Sequence, residues 1–237
     1  MTESAGAQEP FPRGMALLVA GAFFMEILDA TIITPAIPRI AGSFGVAALD
    51  VNVAISAYLV TVAVLIPASG WMADRFGIRR VFIAAIAVFT VASIGCAVST
   101  SLPMLVGMRV LQGVGGAMMV PVGRLAVLRS AGKADLVRAI ALLTWPALAA
   151  PVLAPALGGA IATAGSWRWI FIVNIPLGVL GFLLALRLIR GAPAPVRRPP
   201  DWPGVLLLGG GIGLTLPVVY TLVAAVLDVL GVITPNP

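Results

Sequence analysis

The sequence predicts an all-α polytopic membrane protein, and three observations carry that reading. Of its 237 residues, 60% are hydrophobic and only 10% charged, with a mean hydropathy of +1.09; soluble domains carry about a quarter charged residues. The apolar residues fall into blocks long enough to cross a bilayer core, which takes about 20 residues each. The basic residues lie between those blocks and crowd onto alternate connections.

Seven spans are expected, at roughly 15–37, 51–71, 81–100, 103–123, 138–163, 168–189 and 204–228. The opening segment, residues 1–14, is a polar tail with two Glu, unlike a signal peptide. The first apolar block lacks a cleavage site and reads as a retained helix. Span 2 ends on the polar stretch GWMADRFGIRR, Gly70 to Arg80. Span 3 holds the single cysteine, Cys96. Span 4 follows and carries Arg109. Span 5 contains Pro146, Pro151 and Pro155, which would break a soluble helix but are tolerated where neighbouring helices satisfy the freed backbone. Span 6 opens on Trp167-Arg168-Trp169, suited to an interfacial belt. Residues 190–203 are Pro-rich and basic and read as a linker. Residues 204–237 would form a seventh helix and tail, with Trp202 at its edge.

The positive-inside rule orients the chain. Arg13, the 2–3 connection (Arg75, Arg79, Arg80), the 4–5 connection (Arg124, Arg129, Lys133, Arg138) and the 6–7 connection (Arg187, Arg190, Arg197, Arg198) hold 12 basic residues, against 2 on the other side, Arg39 and Arg168. The N-terminus is therefore expected in the cytoplasm and, with seven spans, the C-terminus on the periplasmic side. Arg outnumbers Lys 14 to 1, a bias that suggests a GC-rich bacterial genome and an inner (plasma) membrane location.

Composition also excludes. With no His and one Cys, a metal site of the usual ligand types is not expected, and no cofactor is called for. The net charge of +6 is spread between apolar blocks as an orientation signal, so nucleic acid is not an expected partner. No nucleophile motif points to an enzyme.

Three ionisable residues lie deep inside apolar blocks: Glu26 and Asp29 in span 1, and Arg109 in span 4. A charge at mid-bilayer costs at least about 2.5–3.5 kcal/mol, which makes such residues functional candidates. Glu26 and Asp29 are three apart, about 60° on a helical wheel, and share a face. At 1.5 Å per residue both Asp29 and Arg109 lie about 21 Å above the inner end of the core, so they are level and able to pair. Two acids face one Arg, and one of them is free to handle a proton. The bland alternative is a static ion pair that locks two helices. Arg109, Gln112, Gly113, Gly116 and Ala117 form one stripe of polar and small side chains, a pattern that lets helices approach closely. Tyr58 and Asn52 on span 2 are cavity-lining candidates, with core packing the expected role.

Several motifs now converge. Gly70, Ala73, Asp74, Arg75, Gly77 and Arg79 match the G-x-L-A-D-R-x-G-R-K/R segment between helices 2 and 3 of the major facilitator superfamily, with Met72 in the Leu place and Ile78 where a basic residue is usual. Arg109, Gln112, Gly113, Gly115 and Ala117 match that family's R-x-x-Q-G-x-G-x-A. In span 5, Ala154-Pro155-Ala156-Leu157-Gly158-Gly159 is similar to the antiporter motif G-P-x-x-G-G. Leu28 to Pro38 resembles L-D-x-T-I-V-N-x-A-L-P, with Thr34 for Asn. Trp167 to Gly178 follows W-R-W-I-F-x-I-N-x-P-x-G. With GRLAVLR after span 4, the chain resembles the fourteen-helix drug:proton antiporters, in the MdtD-like and EmrB-like branch.

That resemblance implies a six-helix N-terminal bundle of two inverted three-helix repeats, residues 15–189, plus one extra helix. It implies a proton-coupled exporter of drug-like molecules, driven by the proton gradient. Glu26, Asp29, Arg109 and Gln112 would form the proton-coupling and substrate site. Gly70, Asp74, Arg75, Gly77, Arg79 and Arg80 would form a conformational latch in a loop, and Pro151, Pro155, Gly158 and Gly159 the kinked antiporter helix. The likeness runs from about residue 13 to 215 and is expected to stop near Leu216, leaving only the N-terminal half. A second copy or a complementary C-terminal half would then be the partner, besides lipid and a small-molecule substrate. The competing readings are a non-transporting fragment or membrane scaffold, and an exporter of organic anions held by Arg109.

Overall fold

The computed structural model describes residues 13–132 and 135–189, with Gly211 and Thr215 beyond them. Among the described residues every regular element is helical: α1 (Arg13–Ile32), a 3₁₀ turn (Thr34–Ala36), α2 (Ile37–Phe44), α3 (Ala48–Phe76), α4 (Ile78–Ala97), α5 (Leu102–Ser130), α6 (Leu136–Ala164), α7 (Trp169–Ile172) and α8 (Asn174–Leu188). They make six stretches long and apolar enough to span a membrane: α1 continued through α2, then α3, α4, α5, α6, and α7 with α8. The tail 1–12, the linker expected at 190–203 and the seventh span expected at 204–228 lie outside the described residues, apart from Gly211 and Thr215, which are helical.

The packing follows a repeat. Span 2 (α3) lies along span 4 (α5) as span 5 (α6) lies along span 1 (α1), and span 3 (α4) rests on span 4 as span 6 (α8) rests on span 1. Exchanging spans 1–3 for 4–6 therefore preserves the neighbours. Because the spans alternate in direction, the second three-helix unit starts at the opposite face from the first, which makes the repeats inverted.

Small residues set how closely these helices approach. On α6, Ala139, Leu143, Ala150, Ala154 and Gly158 form a buried stripe. A Cβ on Gly158 would overlap the carbonyl of Ile32 on α1. On α5, a Cβ on Gly115 would come within 2.8 Å of the Ala85 carbonyl oxygen and of the Phe89 amide nitrogen on α4. Close backbone approach of this kind is how helices associate where lipid offers no hydrophobic drive. The opposite flanks of the outer helices are apolar and exposed, for example Leu148 and Val152 on α6, Leu59 on α3 and Leu180 on α8.

Hydropathy places the spans but underestimates their ends. The stretch expected as a loop at Gly70–Arg80 is helix almost throughout. Gly70, Asp74 and Arg75 lie on α3, Arg79 and Arg80 on α4, and Gly77 alone separates them. Gly77 has φ +87° and its N–H caps the Ala73 carbonyl at 2.9 Å; glycine adopts that conformation without steric cost, so one residue reverses the chain. Likewise Arg124 and Arg129, assigned to a connection, lie on the extended C-terminal turns of α5. A helix continues past the lipid core because its own hydrogen bonds satisfy the backbone wherever water also does.

Candidate functional site

Among the described residues, the membrane interior of the bundle holds one polar cluster, built from five of the six spans. Asp29 on α1 and Arg109 on α5 are both fully buried and form an ion pair, Nη1 to Oδ2, at 2.5 Å. The second carboxylate oxygen of Asp29 accepts from Gln112 Nε2 at 3.0 Å and from Asn174 Nδ2, at the start of α8, at 2.6 Å. Gln112 uses both ends of its amide. Its oxygen accepts from Arg109 Nη1 at 2.8 Å and from the Cys96 thiol at 3.7 Å, and its nitrogen also donates to Ser93 Oγ at 2.9 Å. The guanidinium lies over the Tyr58 ring, 4.3 Å from its centroid, with Phe171 at 5.8 Å.

This geometry meets, on the side of the acid, the condition on which a buried charge pair survives, whereas Arg109 Nε and Nη2 are buried without a hydrogen-bond partner. Each ion pays a large desolvation cost, offset only when the partner is close and the remaining lone pairs and protons are hydrogen-bonded. Asp29 receives three donors, one of them its counter-ion Arg109. The aromatic faces of Tyr58 and Phe171 add attraction for the cation.

Glu26 is the exception. It lies one turn from Asp29 on α1, half-buried, and its Oε2 is enclosed with no hydrogen-bond partner. Its other oxygen lies beside Gly116, where a Cβ would be 3.4 Å from it and 3.1 Å from the Tyr58 hydroxyl. Gly116 thus leaves room on α5 for an acid and a phenol to face one another two turns from Arg109. The stripe read from the sequence is buried as a whole: Arg109, Gln112, Gly113, Gly116 and Ala117 all point into the bundle.

The expected site residues divide into those the fold gathers and those it does not. Glu26, Asp29, Arg109 and Gln112 come together on the facing sides of α1 and α5. At the other end of the bundle Asp74 Oδ1 pairs with Arg129 Nη2 at 3.3 Å, both half exposed, a contact worth at most about 1 kcal/mol in solvent. Arg79 donates from Nη2 to the Leu186 carbonyl at 2.9 Å, a cation on the last turn of α8 where the helix dipole favours it. Arg75 and Arg80 are exposed, as is Gly70. On α6, Gly158 makes the close approach, whereas Pro151 and Pro155 face outward and Gly159 is half-buried. Ala154, in the first Gly place of the motif, is fully buried.

Four members of the cluster carried no such assignment in the sequence: Asn174, Ser93, Cys96 and, beyond packing, Tyr58. Asn174 had a signal, since it stands inside Trp167–Gly178, but an Asn in an apolar run does not disclose its partner. Trp167, expected at the interfacial belt with Trp169, is instead 3% exposed. Its indole donates to Ser43 Oγ at 3.0 Å and its ring meets Phe44 and Phe171 edge-on. The α2 extension of span 1 covers it, and Trp169 alone faces outward.

A family model described as Major Facilitator Superfamily matches residues 19–233 of the chain. The chain belongs to the major facilitator superfamily. The match passes residue 216, so the segment expected to leave the family there is within it. Over 197 residues the chain is 46% identical to MdtD, a protein named for multidrug resistance, of Salmonella newport (strain SL254), and equally to that of Salmonella typhimurium (strain LT2). The alignments cover 83% of this chain but 42% of those proteins, so it spans less than half the length of the relatives it matches. Among solved structures it is similar to the proton:xylose symporter XylE, with a TM-score of 0.67 at 14% identity over 87% of this chain and 50% of that one. It is also similar to a peptide transporter, POT, with a TM-score of 0.68 at 17% identity over 94% and 48%. At such identities these two show the superfamily fold alone. The chain is thus a multi-pass membrane protein.

Proposed function

We propose that this chain is the N-terminal half of a proton-coupled multidrug exporter of the bacterial inner membrane, with its N-terminus in the cytoplasm. The observation that carries the reading is one acid too many: Asp29 balances Arg109, and Glu26 stands beside the pair with no cation of its own among the described residues. Protonating Asp29 would break an ion pair and free a hydrogen bond, so that event is tied to separation of spans 1 and 4. Glu26 has neither tie, and it is the acid that exchanges its proton for a cationic, amphipathic substrate. Pairing of Arg109 with Asp29 disfavours an organic anion as cargo.

A transport path in this superfamily lies between two halves that rock about a midplane site. The complementary half, or a second copy, would seat on the exposed apolar flanks of the outer helices. Gly70, Gly77, Asp74, Arg75, Arg79 and Arg80 would then latch one conformation at the cytoplasmic face, with the Asp74–Arg129 pair as its hinge-side contact. The competing reading is a non-transporting fragment.

Both are tested by proton-driven efflux of ethidium from inverted vesicles, with this chain alone and with the C-terminal half of MdtD from Salmonella newport co-expressed. Flux in either arm that falls to background in Glu26→Gln is the expected result. No flux in both arms, from a chain that is folded and inserted, supports the fragment.

A further inference from the structure

Span 6 ends between the starts of spans 1 and 3, since α8 packs against both α1 and α4. Arg79, in the first turn of α4, donates to the Leu186 carbonyl. Gly14, at the start of α1, lies against Leu188, whose Cδ2 would be 3.5 Å from a Cβ placed there. Arg187 stands between these two contact points. The last turn of α8 therefore brings Arg13, Arg80 and Arg187 to one corner of the bundle at the membrane surface. All three are exposed, and among the described residues none of them meets an acid; Asp74, the acid nearest in sequence to Arg80, is spent on Arg129. Like charges gathered this way repel one another. Arg80 also sits in a first turn, the end of a helix at which the dipole disfavours a cation.

Each of these arginines heads an apolar, exposed line on its own helix. Residues one turn apart share a helix face. Arg13 stands one turn from Leu17, and Arg187 one turn from Leu183 with Leu180 beyond it; all three leucines are exposed. On α4 the line of Arg80 continues through Ala84 to Val91, both exposed. We propose that this corner seats an anionic phospholipid, its phosphate held by Arg13, Arg80 and Arg187 and its acyl chains lying on the apolar lines that run from them into the membrane. A guanidinium matches phosphate oxygens two at a time, and basic pockets between spans hold such headgroups. A free anion would use the charges and leave the apolar lines unexplained, whereas a lipid uses both. A second half of the transporter does not compete for the place. α3 and α6 pack along α5 and α1, and α4 and α8 pack on each other away from them, so a half seated on α3 and α6 leaves this corner to lipid.

The test is native mass spectrometry of the purified chain in neutral detergent, titrated with dioleoyl phosphatidylglycerol and, separately, with dioleoyl phosphatidylcholine. The second lipid has the same phosphate and chains but no net charge. Wild type is expected to take up a single phosphatidylglycerol about tenfold more tightly than phosphatidylcholine. A basic residue beside an anionic headgroup contributes about fivefold in affinity, so Arg187→Gln should weaken phosphatidylglycerol about fivefold, and Arg13→Gln with Arg187→Gln about twentyfold. Arg124→Gln, an exposed cation on α5 outside the corner, measures the effect of net charge alone and should change affinity by less than about twofold. These side chains are exposed, so the variants fold as wild type does. Equal affinity of wild type for the two lipids overturns the inference, as does an Arg187→Gln no weaker than Arg124→Gln. Displacement of phosphatidylglycerol by millimolar inorganic phosphate would make the corner a site for a free anion and overturn it too. No transport is read, so this inference and the exporter reading stand or fall separately.

Discussion

Arg109→Ala is expected to destabilise the bundle by about 3–5 kcal/mol, because it leaves the Asp29 carboxylate buried without a counter-ion. The pair has no exposure to water, so no solvent replaces the lost cation. The loss extends further, since the same Nη1 that meets Asp29 also donates to Gln112, and Tyr58 loses the group lying over its ring. The double variant Asp29→Asn with Arg109→Gln removes both charges and keeps polar groups of similar reach. It should recover much of that stability, giving a coupling of about 2–3 kcal/mol, at the high end for residues in contact. Unfolding of the purified chain in mixed micelles measures the cycle. The same cycle on Asp74 and Arg129 should return less than about 1 kcal/mol, as half-exposed pairs do. A coupling near zero at Asp29 and Arg109 would mean that the cluster is not held by its charges.

Gly115→Val should abolish folded protein, and Gly115→Ala should already cost about 3 kcal/mol, the upper part of the range for overpacking. The first added carbon meets backbone atoms of α4, at Ala85 and Phe89, rather than a side chain that can swing aside. Relief would require α4 and α5 to separate, and with them the Ser93–Gln112 bond that crosses this interface. Gly107, on the same helix and exposed with nothing within 4 Å, is the control. Gly107→Ala should be neutral or gain up to about 1 kcal/mol from helix propensity. Monodispersity on size exclusion and the melting temperature separate the two outcomes.

Much of this molecule was legible because the bilayer imposes its period on the chain. Apolar length gave six of the spans, the first and fourth of them seven residues short at one end, and helical rise put Asp29 level with Arg109, where the fold indeed pairs them. What the sequence concealed is where polarity is satisfied by a partner far along the chain. Asn174 and Asp29 are 145 residues apart, and nothing in either segment names the other. The tight turn at Gly77 was hidden for the opposite reason: charged residues suggest a loop, yet Asp74 and Arg129 are content on helix ends that emerge into water. Trp167 was misplaced because an aromatic near a span end usually marks the interface, whereas here the continuation of span 1 into α2 covers it.

The central claim is that Glu26, beside an internally balanced Asp29–Arg109 pair, carries the proton exchanged for cargo. It is tested most directly by adding ethidium to weakly buffered, purified chain paired with the C-terminal half of MdtD and recording proton release with an indicator dye. The account predicts about one proton released per ethidium bound in wild type and none in Glu26→Gln, which should fold normally because Glu26 Oε2 has no hydrogen bond to lose. Undiminished proton release from Glu26→Gln would contradict it and move the exchanged proton elsewhere.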